Sequence, residues 1–543
     1  MKYQKTTTVS LPDRTWPDRQ ITQAPIWCSV DLRDGNQALV NPMDLEKKVR
    51  FFNLLVEMGF KEIEIGFPSA SETEYAFCRY LIEEGLIPED VTISILTQAR
   101  EHLIARCAEA LDGAQNVIVH LYNSTSTMQR EVVFGKSRQE IIDIALQGVA
   151  WVKRYFASFG GSVRLEYSPE SFTQTELDFA AEICNAVVDA WDPGAGEQVI
   201  INLPSTVESA TPNIYADQIE WMCRHLRRRE EIIVSLHAHN DRGTAVAATE
   251  LALMAGADRV EGTLLGNGER TGNVDIVTLA LNMYTQGVDP KLDLSDVDKI
   301  VEVVEQCNEI QTHPRHPYVG SLVYTAFSGS HQDAIKKGLA RQKEGARWYV
   351  PYLPIDPRDV GRSYESIIRV NSQSGKGGVS YILESHHGYR LPKAMQPVVA
   401  REVQRVSEAR GGVVSEEEIL AIFGTHFLNR RDAVYFEDMH IAIEASGARF
   451  TATMRRDNRT KRVSGEGSGI IDAVSRILHA EGIGFEIVSY HEHALSRGSD
   501  AAAAAYFEIR HGGRSCWGAG SGENITYASI NALVSACNIA LKE

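Results

Sequence analysis

The run IIVSLHAHND carries two histidines, His237 and His239, at positions i and i+2. In an extended chain that spacing puts both imidazoles on one face. Asp34, in DLRDGNQ, offers a carboxylate. Two imidazoles and one carboxylate suit a divalent ion that keeps positions open for substrate oxygens. Imidazole accommodates zinc, manganese and iron, whereas carboxylate and water suit magnesium and manganese. The competing reading makes each histidine a hydrogen-bonded core residue. Arg33, beside Asp34, fits either a substrate carboxylate or developing alkoxide, or a salt bridge at the site's mouth. Glu166 and Glu170, in LEYSPE, are further candidate carboxylates. The segment GNGERTGN lacks the lysine of a P-loop and reads as a loop with close backbone approach.

These groups need elements to position them. Apolar runs predict eight strands, at Trp27–Leu32, Glu62–Phe67, Thr92–Leu96, Val117–Tyr122, Val163–Tyr167, Val199–Leu203, Ile232–His237 and Arg259–Leu264. Most intervals between them carry helical spacing, as in Phe51, Leu54, Leu55 and Met58. Eight β-α units within about 300 residues favour a closed (β/α)8 TIM barrel over an open doubly wound sheet. The polar residues cluster at the strands' C-terminal ends, where such barrels place their sites. Strands one and seven are both odd, so Asp34 and the two histidines can share a layer.

The remainder reads differently. Leu294–Glu309 is helical, the proline-broken YVPYLPIDPRDVGRSYE cannot form a long element, Leu391–Arg410 is helical, and Ser415–Phe423 starts as a capped helix. From about residue 430 the chain predicts a small α+β module. HIAIEASGARFTATM alternates as one strand, GSGIIDAVSRILHAEG is a glycine turn entering a helix, and GIGFEIVSYHEHAL and AAAAAYFEIRHGG are strand-like. TYASINALVSACNIAL is a closing helix.

Of the 543 residues, 55 are Lys or Arg and 72 are Asp or Glu, a net charge of −17 that argues against nucleic acid and anionic membranes as partners. No apolar run approaches the roughly 18 residues of a membrane span, and the N-terminal segment has no secretory h-region. The eight cysteines form no C-x-x-C pair, which disfavours zinc knuckles and redox pairs and points to reduced thiols in the cytoplasm.

The motifs DLRDGNQAL, EIGFPSAS, HLYNSTS, EYSPESFTQTE, NLPSTVE, SLHAHNDRGTAVA, GNGERTGNVD, SGSHQDAIKKG and PYLPIDPRDVGRSYE together resemble the 2-isopropylmalate synthase family in its long bacterial and fungal form. The resemblance implies a catalytic barrel over residues 1–325, connecting subdomains over 326–428, and a C-terminal α+β regulatory domain over 429–543. It implies one divalent cation (magnesium or manganese, with zinc as a further option) on Asp34, His237 and His239, with Asn273 beside it. It implies acetyl-CoA as co-substrate, and 3-methyl-2-oxobutanoate contacted by Arg33, His120, Ser168 and Thr206. Glu170, His331 and Tyr364 match residues implicated in catalysis, with Arg33. Acetyl-CoA, the oxo acid and water would then yield (2S)-2-isopropylmalate and CoA, the first committed step of leucine biosynthesis. The resemblance also implies a homodimer inhibited by leucine, held near Gly467, Gly469, Ala473, Tyr490 and Ala494. The turn here reads GSGIIDA where the family shows one resembling GNGPIDA, so Ser468 and Ile470 depart from the pattern. The competing readings are a sister synthase (citramalate-like or of a specialised pathway), a lyase working on the same bond in reverse, and a leucine sensor that keeps the barrel as scaffold.

Overall fold

The computed structural model describes residues 2, 8–326, 328–362, 376–410, 414–444, 447–457, 459–495 and 502–542. Eight parallel strands close a barrel in chain order: β1 (Ile26–Ser29), β2 (Glu62–Gly66), β3 (Thr92–Gln98), β4 (Asn116–Ser124), β5 (Ser162–Glu170), β6 (Val199–Ser205), β7 (Ile232–Ala238) and β8 (Arg259–Gly262). Pairing of Ile26–Ser29 with Arg259–Gly262 closes the ring, so the barrel and not the open sheet forms. The helices between and after them are α1 (Leu45–Glu57), α2 (Glu72–Glu83), α3 (Glu101–Leu111), α4 (Arg138–Tyr155), α5 (Leu177–Trp191), α6 (Pro212–His225), α7 (Ala245–Met254) and α8 (Ile276–Thr285). β2, β6, β7 and β8 are buried throughout, because one face meets helices and the other the barrel interior. Asp44 and Ser71 cap α1 and α2, and Ser137 with Glu140 forms a capping box on α4.

The barrel interior is layered. Ile118, Ile200 and Ile233 form an apolar cluster on the strands' N-terminal side. The next inward positions on the same strands, His120, Asn202 and Ser235, begin a polar layer with Glu62, Glu64, Glu166, Arg259 and Glu261, all buried. Two strand ends differ from expectation. β1 stops at Ser29, and Asp31–Gly35 winds into one π-helical turn. The buried Asp31 carboxylate ties that turn, accepting from Ser29 Oγ at 2.8 Å and Leu264 N at 3.0 Å. β8 stops at Gly262, and Leu264–Gly266 follows as a 3-10 turn with Leu265 at φ +59°.

The chain forms two compact units, Met1–Val323 with Pro357–Arg362, and Tyr324–Asp356 with Ser363–Glu543. In the first, α9 (Val297–Asn308) packs on α1. The second holds α10 (Gly329–Leu339), α11 (Lys376–His387), α12 (Gln396–Arg410) and α13 (Glu416–His426). These precede β9 (Val434–Glu444), β10 (Gly447–Arg456), β11 (Arg459–Gly467), α14 (Ile470–Ala480), β12 (Glu486–Ala494), β13 (Ala503–His511), β14 (Arg514–Gly522) and α15 (Ile525–Lys542). The strands make two antiparallel sheets, ordered β11-β10-β9 and β12-β13-β14. The expected single strand His440–Met454 is in fact two, because β9 and β10 pair antiparallel on either side of residues 445–446. β11 and β14 escaped sequence reading, one being polar and the other glycine-rich. α12 starts at Gln396, after Pro392 and with Pro397 in its first turn, where a missing N–H costs nothing. No helix among the described residues is long and apolar enough to cross a membrane.

Glycines let α15 lie directly on β14. A Cβ at Gly518 would stand 2.1 Å from Ala536 N, and one at Gly520 would stand 2.2 Å from Ala528 O. Gly518→Ala is therefore expected to destabilise this unit by about 1–3 kcal/mol, as overpacked cores do. A lower urea midpoint for its unfolding checks this; an unchanged midpoint would show that α15 does not need that approach.

Candidate active site

The π-helical turn after β1 aims Asp34 at the end of β7. His237 and His239 present their Nε2 atoms 3.3 Å apart, and these lie 3.9 and 3.8 Å from Asp34 Oδ2. The last two separations are too long for hydrogen bonds and suit ligands that share a cation. His237 Nδ1 donates to Glu261 Oε2 at 2.8 Å, which leaves its Nε2 lone pair facing the cluster. Burial, with His237 alongside, lowers His239 to about 4, so this ring is neutral near pH 7, the form that binds metal. Burial opposes the charge on Asp34, but Arg33 and the two imidazoles outweigh it and hold the carboxyl below the usual range. Asn273 Nδ2 donates to Asp34 Oδ2 at 2.6 Å, while its own buried Oδ1 has no partner among the described residues. That orphaned oxygen beside the three-ligand set fits a cation.

A chain of hydrogen bonds runs around the barrel interior from this cluster. Arg33 donates to Asp34 Oδ1 at 2.9 Å and to Glu64 through Nε. His120 Nδ1 donates to Glu64 Oε2 at 2.6 Å, and its Nε2 accepts from Ser168 Oγ at 2.7 Å. Asn202 Nδ2 donates to Ser168 Oγ at 3.0 Å and to Glu261 Oε2 at 3.1 Å. Glu261 returns to His237. The only gap is the one between His237, His239 and Asp34.

A cavity of about 310 Å³ opens above this chain. Arg33, Asp34, His120, Ser168, Glu170, Thr206, His237 and His239 line it, so the structure brings eight of the expected site residues together. Thr206 Oγ1 accepts from Ser171 N at 2.9 Å, and Ser124 Oγ donates to Glu170. Phe67, Leu96 and Pro204 supply apolar wall. Asn273 joins through Asp34. Glu166 does not line the cavity; it pairs with Arg259 beneath it. GNGERTGN brings backbone close, since a Cβ at Gly272 (φ +91°) would meet Gly266 O at 1.8 Å.

His331 belongs to the other compact unit, exposed on α10 with its ring stacked 4.0 Å from that of Tyr352. Tyr364 lies outside the described residues. Gly467 ends β11, Gly469 precedes α14, and Ala473 is buried in that helix. Tyr490 and Ala494 lie on β12, in the other sheet, with Tyr490 Oη 2.9 Å from Ser529 Oγ. Sequence reading missed Glu64, Asn202, Glu261 and Tyr122. The available signal was acid at period two inside buried strands, as in EIEIG and RVEG.

The profile described as HMGL-like matches residues 24–304, that of the alpha-isopropylmalate synthase post-catalytic domain-like family residues 321–384, and that of the LeuA allosteric (dimerisation) domain residues 413–541. The 2-isopropylmalate synthases of Rhizobium meliloti and Agrobacterium fabrum are 57% and 55% identical to this chain, covering 100% of it and 98% and 99% of themselves. That of Pseudomonas entomophila is 54% identical, covering 100% of this chain and 97% of its own. The solved hydroxymethylglutaryl-CoA lyase of Pseudomonas aeruginosa is 18% identical over 53% of this chain and 92% of its own, with a TM-score of 0.43.

Removing a converging imidazole should cost more metal affinity than the about 10–100-fold lost with an outer partner. His239→Gln is expected to do so in Mn2+ titrations of chelator-stripped protein followed by electron paramagnetic resonance, with the circular dichroism spectrum unchanged. Wild-type affinity in this variant would sink the cluster as a cation site.

Proposed function

As a member of the 2-isopropylmalate synthase family, the chain is an acyltransferase, and we propose that it condenses acetyl-CoA with 3-methyl-2-oxobutanoate and water to give (2S)-2-isopropylmalate and CoA. That reaction is the first committed step of leucine biosynthesis. The observation that carries the reading is the full-length identity to named synthases, joined to a cavity in which Arg33 adjoins the Asp34, His237 and His239 cluster. The same identity favours this reading over a citramalate-like or specialised sister synthase.

Asp34, His237, His239 and Asn273 would hold one divalent ion, magnesium or manganese with zinc as a further option. When bound, such an ion polarises a carbonyl oxygen and anchors a 2-oxo acid. The chain's own groups do the rest. Burial weighs against the charge on Arg33, but Glu64 and Asp34 overcome it, so its guanidinium stays charged. It supplies fixed positive charge where the keto oxygen gains negative charge, an effect commonly worth about 3–4 kcal/mol. His120, Ser168 and Thr206 offer hydrogen bonds that orient the oxo acid. We assign removal of the acetyl methyl proton to His331, assisted by Glu170, with Tyr364 as a further catalytic group. The resulting carbanion equivalent attacks the keto carbon. Water then cleaves the thioester C–S bond, and CoA leaves as the thiol.

The LeuA-type domain supports an oligomer and a small-molecule effector. We assign these as a homodimer and leucine, the latter held by Gly467, Gly469, Ala473, Tyr490 and Ala494. In that dimer the connecting subdomains, 326–428, serve the partner's barrel, 1–325, and residues 429–543 regulate. The setting we infer is the cytoplasm, in keeping with eight cysteines that form no disulfide.

Thiol release from acetyl-CoA tests the reading, using metal-restored protein with 3-methyl-2-oxobutanoate, pyruvate or 2-oxoglutarate, with and without leucine. Preference for 3-methyl-2-oxobutanoate and a fall with leucine are expected. Release indifferent to leucine would discard the effector, and no release with any acid would discard the synthase. His331→Ala should lower turnover by about 10²–10⁴-fold, the usual share of a general base. Near-normal turnover would reassign the base.

A further inference from the structure

Arg259 is the largest fully buried side chain in the molecule's described residues, and the reaction as proposed does not use it. It projects into the barrel interior below the cavity. Nε donates to Glu62 Oε2 at 2.6 Å. Nη1 donates to Ser235 Oγ at 2.7 Å, Glu261 Oε1 at 2.9 Å and Glu166 Oε1 at 3.1 Å, and Nη2 donates to Glu166 Oε2 at 3.2 Å. One guanidinium thus serves three carboxylates and a hydroxyl from a planar fork of five donors, where a lysine ammonium would have three donors at a single point.

Glu261 divides its oxygens. Oε1 takes Arg259, while Oε2 takes His237 Nδ1 and Asn202 Nδ2. A carboxylate held on one side by a fixed cation has little freedom to rotate, so the oxygen facing His237 is fixed, and with it the ring's tilt and tautomer. Glu62 takes Nε instead, and its other oxygen accepts from Arg164 Nη1 at 2.8 Å.

We propose that Arg259 is a positioning residue for the divalent-cation site, acting through Glu261 on His237. This rests on the reading of Asp34, His237 and His239 as a cation site, and the test separates the two. The measurement is Mn2+ affinity of chelator-stripped protein by electron paramagnetic resonance, with thermal melting alongside. Glu261→Gln keeps the size and should weaken Mn2+ about 10–100-fold. Arg259→Lys should weaken it similarly. Glu62→Gln, which touches Arg259 but not Glu261, should stay within about 3-fold of wild type. If Arg259→Lys does not fold, the contrast between Glu261→Gln and Glu62→Gln decides alone.

Two results overturn the proposal. One is wild-type affinity in Glu261→Gln or in a folded Arg259→Lys with a lowered melting temperature, which makes Arg259 a filler of the barrel. The other is equal weakening in Glu62→Gln and Glu261→Gln, which makes the effect one of general charge. Failure of wild-type protein to bind Mn2+ would instead remove the cation site itself.

Discussion

Glu62, Glu64, Glu166 and Glu261 stand inside the barrel almost out of contact with solvent, and desolvating each as an isolated charge would cost several kcal/mol. A buried guanidinium and one that reaches the cavity answer them. Arg33 pairs with Glu64, and Arg259 pairs with Glu62, Glu166 and Glu261. The balance is uneven: burial pushes Glu166 up, whereas Arg259 and His237 outweigh burial at Glu261 and hold it well down. A hydrophobic layer of the same volume would often be neutral or more stable by about 1–4 kcal/mol. A charged layer here is therefore explained by what it holds in place, and what it holds is the ring of side chains ending at His237 and Asp34. The barrel gives up stability to fix a site, a common trade where a scaffold carries chemistry.

The same layer marks where sequence reading stopped. Strand ends were legible because polar residues break an apolar run, which exposed Asp34, His120, Ser168, His237 and His239 together. Glu64 and Glu261 lie within strands. On a half-exposed strand such acids would face solvent, and only the closure of the barrel turns them inward. The geometry of Asp34 was also out of reach. Its layer was expected from the parity of strands one and seven, yet it arrives on a π-helical turn that Asp31 ties to Leu264 across the closing seam. Such long-range ties leave no local pattern.

The C-terminal sheets obey a different constraint. Their inner faces are covered, Phe450, Ala473, Leu478, Phe507 and Leu533 forming one core, and Tyr506 and Trp517 joining Leu383, Val403 and Phe423 in another. Residues 427–429 pair along the outer edge of β14, whereas two other edges carry exposed apolar side chains. β12 is an edge strand exposing Ile487, Val488 and Tyr490, and β9 exposes Ile443. Open edges with apolar side chains invite pairing, and proteins usually blunt them with charge, proline or bulges. β9 and β12 each carry a register shift, but the apolar residues remain. The match to the LeuA allosteric (dimerisation) domain supports oligomerisation through this module.

Selection among 2-oxo acids follows from how the cavity divides its labour. Every 2-oxo acid presents the same carboxylate and keto oxygen, so groups that meet only those atoms, the role proposed for Arg33, His120, Ser168 and Thr206, cannot tell one side chain from another. On that proposal, discrimination is left to the rest of the lining, where Phe67, Leu96 and Pro204 are the apolar side chains. One methylene in an apolar pocket is worth only about 1–3 kcal/mol, or roughly 10–200-fold. An apolar wall rejects a larger side chain by overlap and a charged one by offering it no partner. A smaller one merely fills less space. Rejection of 2-oxoglutarate by such a wall would therefore rest on a different physical ground from rejection of pyruvate, and the narrower margin is the one against pyruvate.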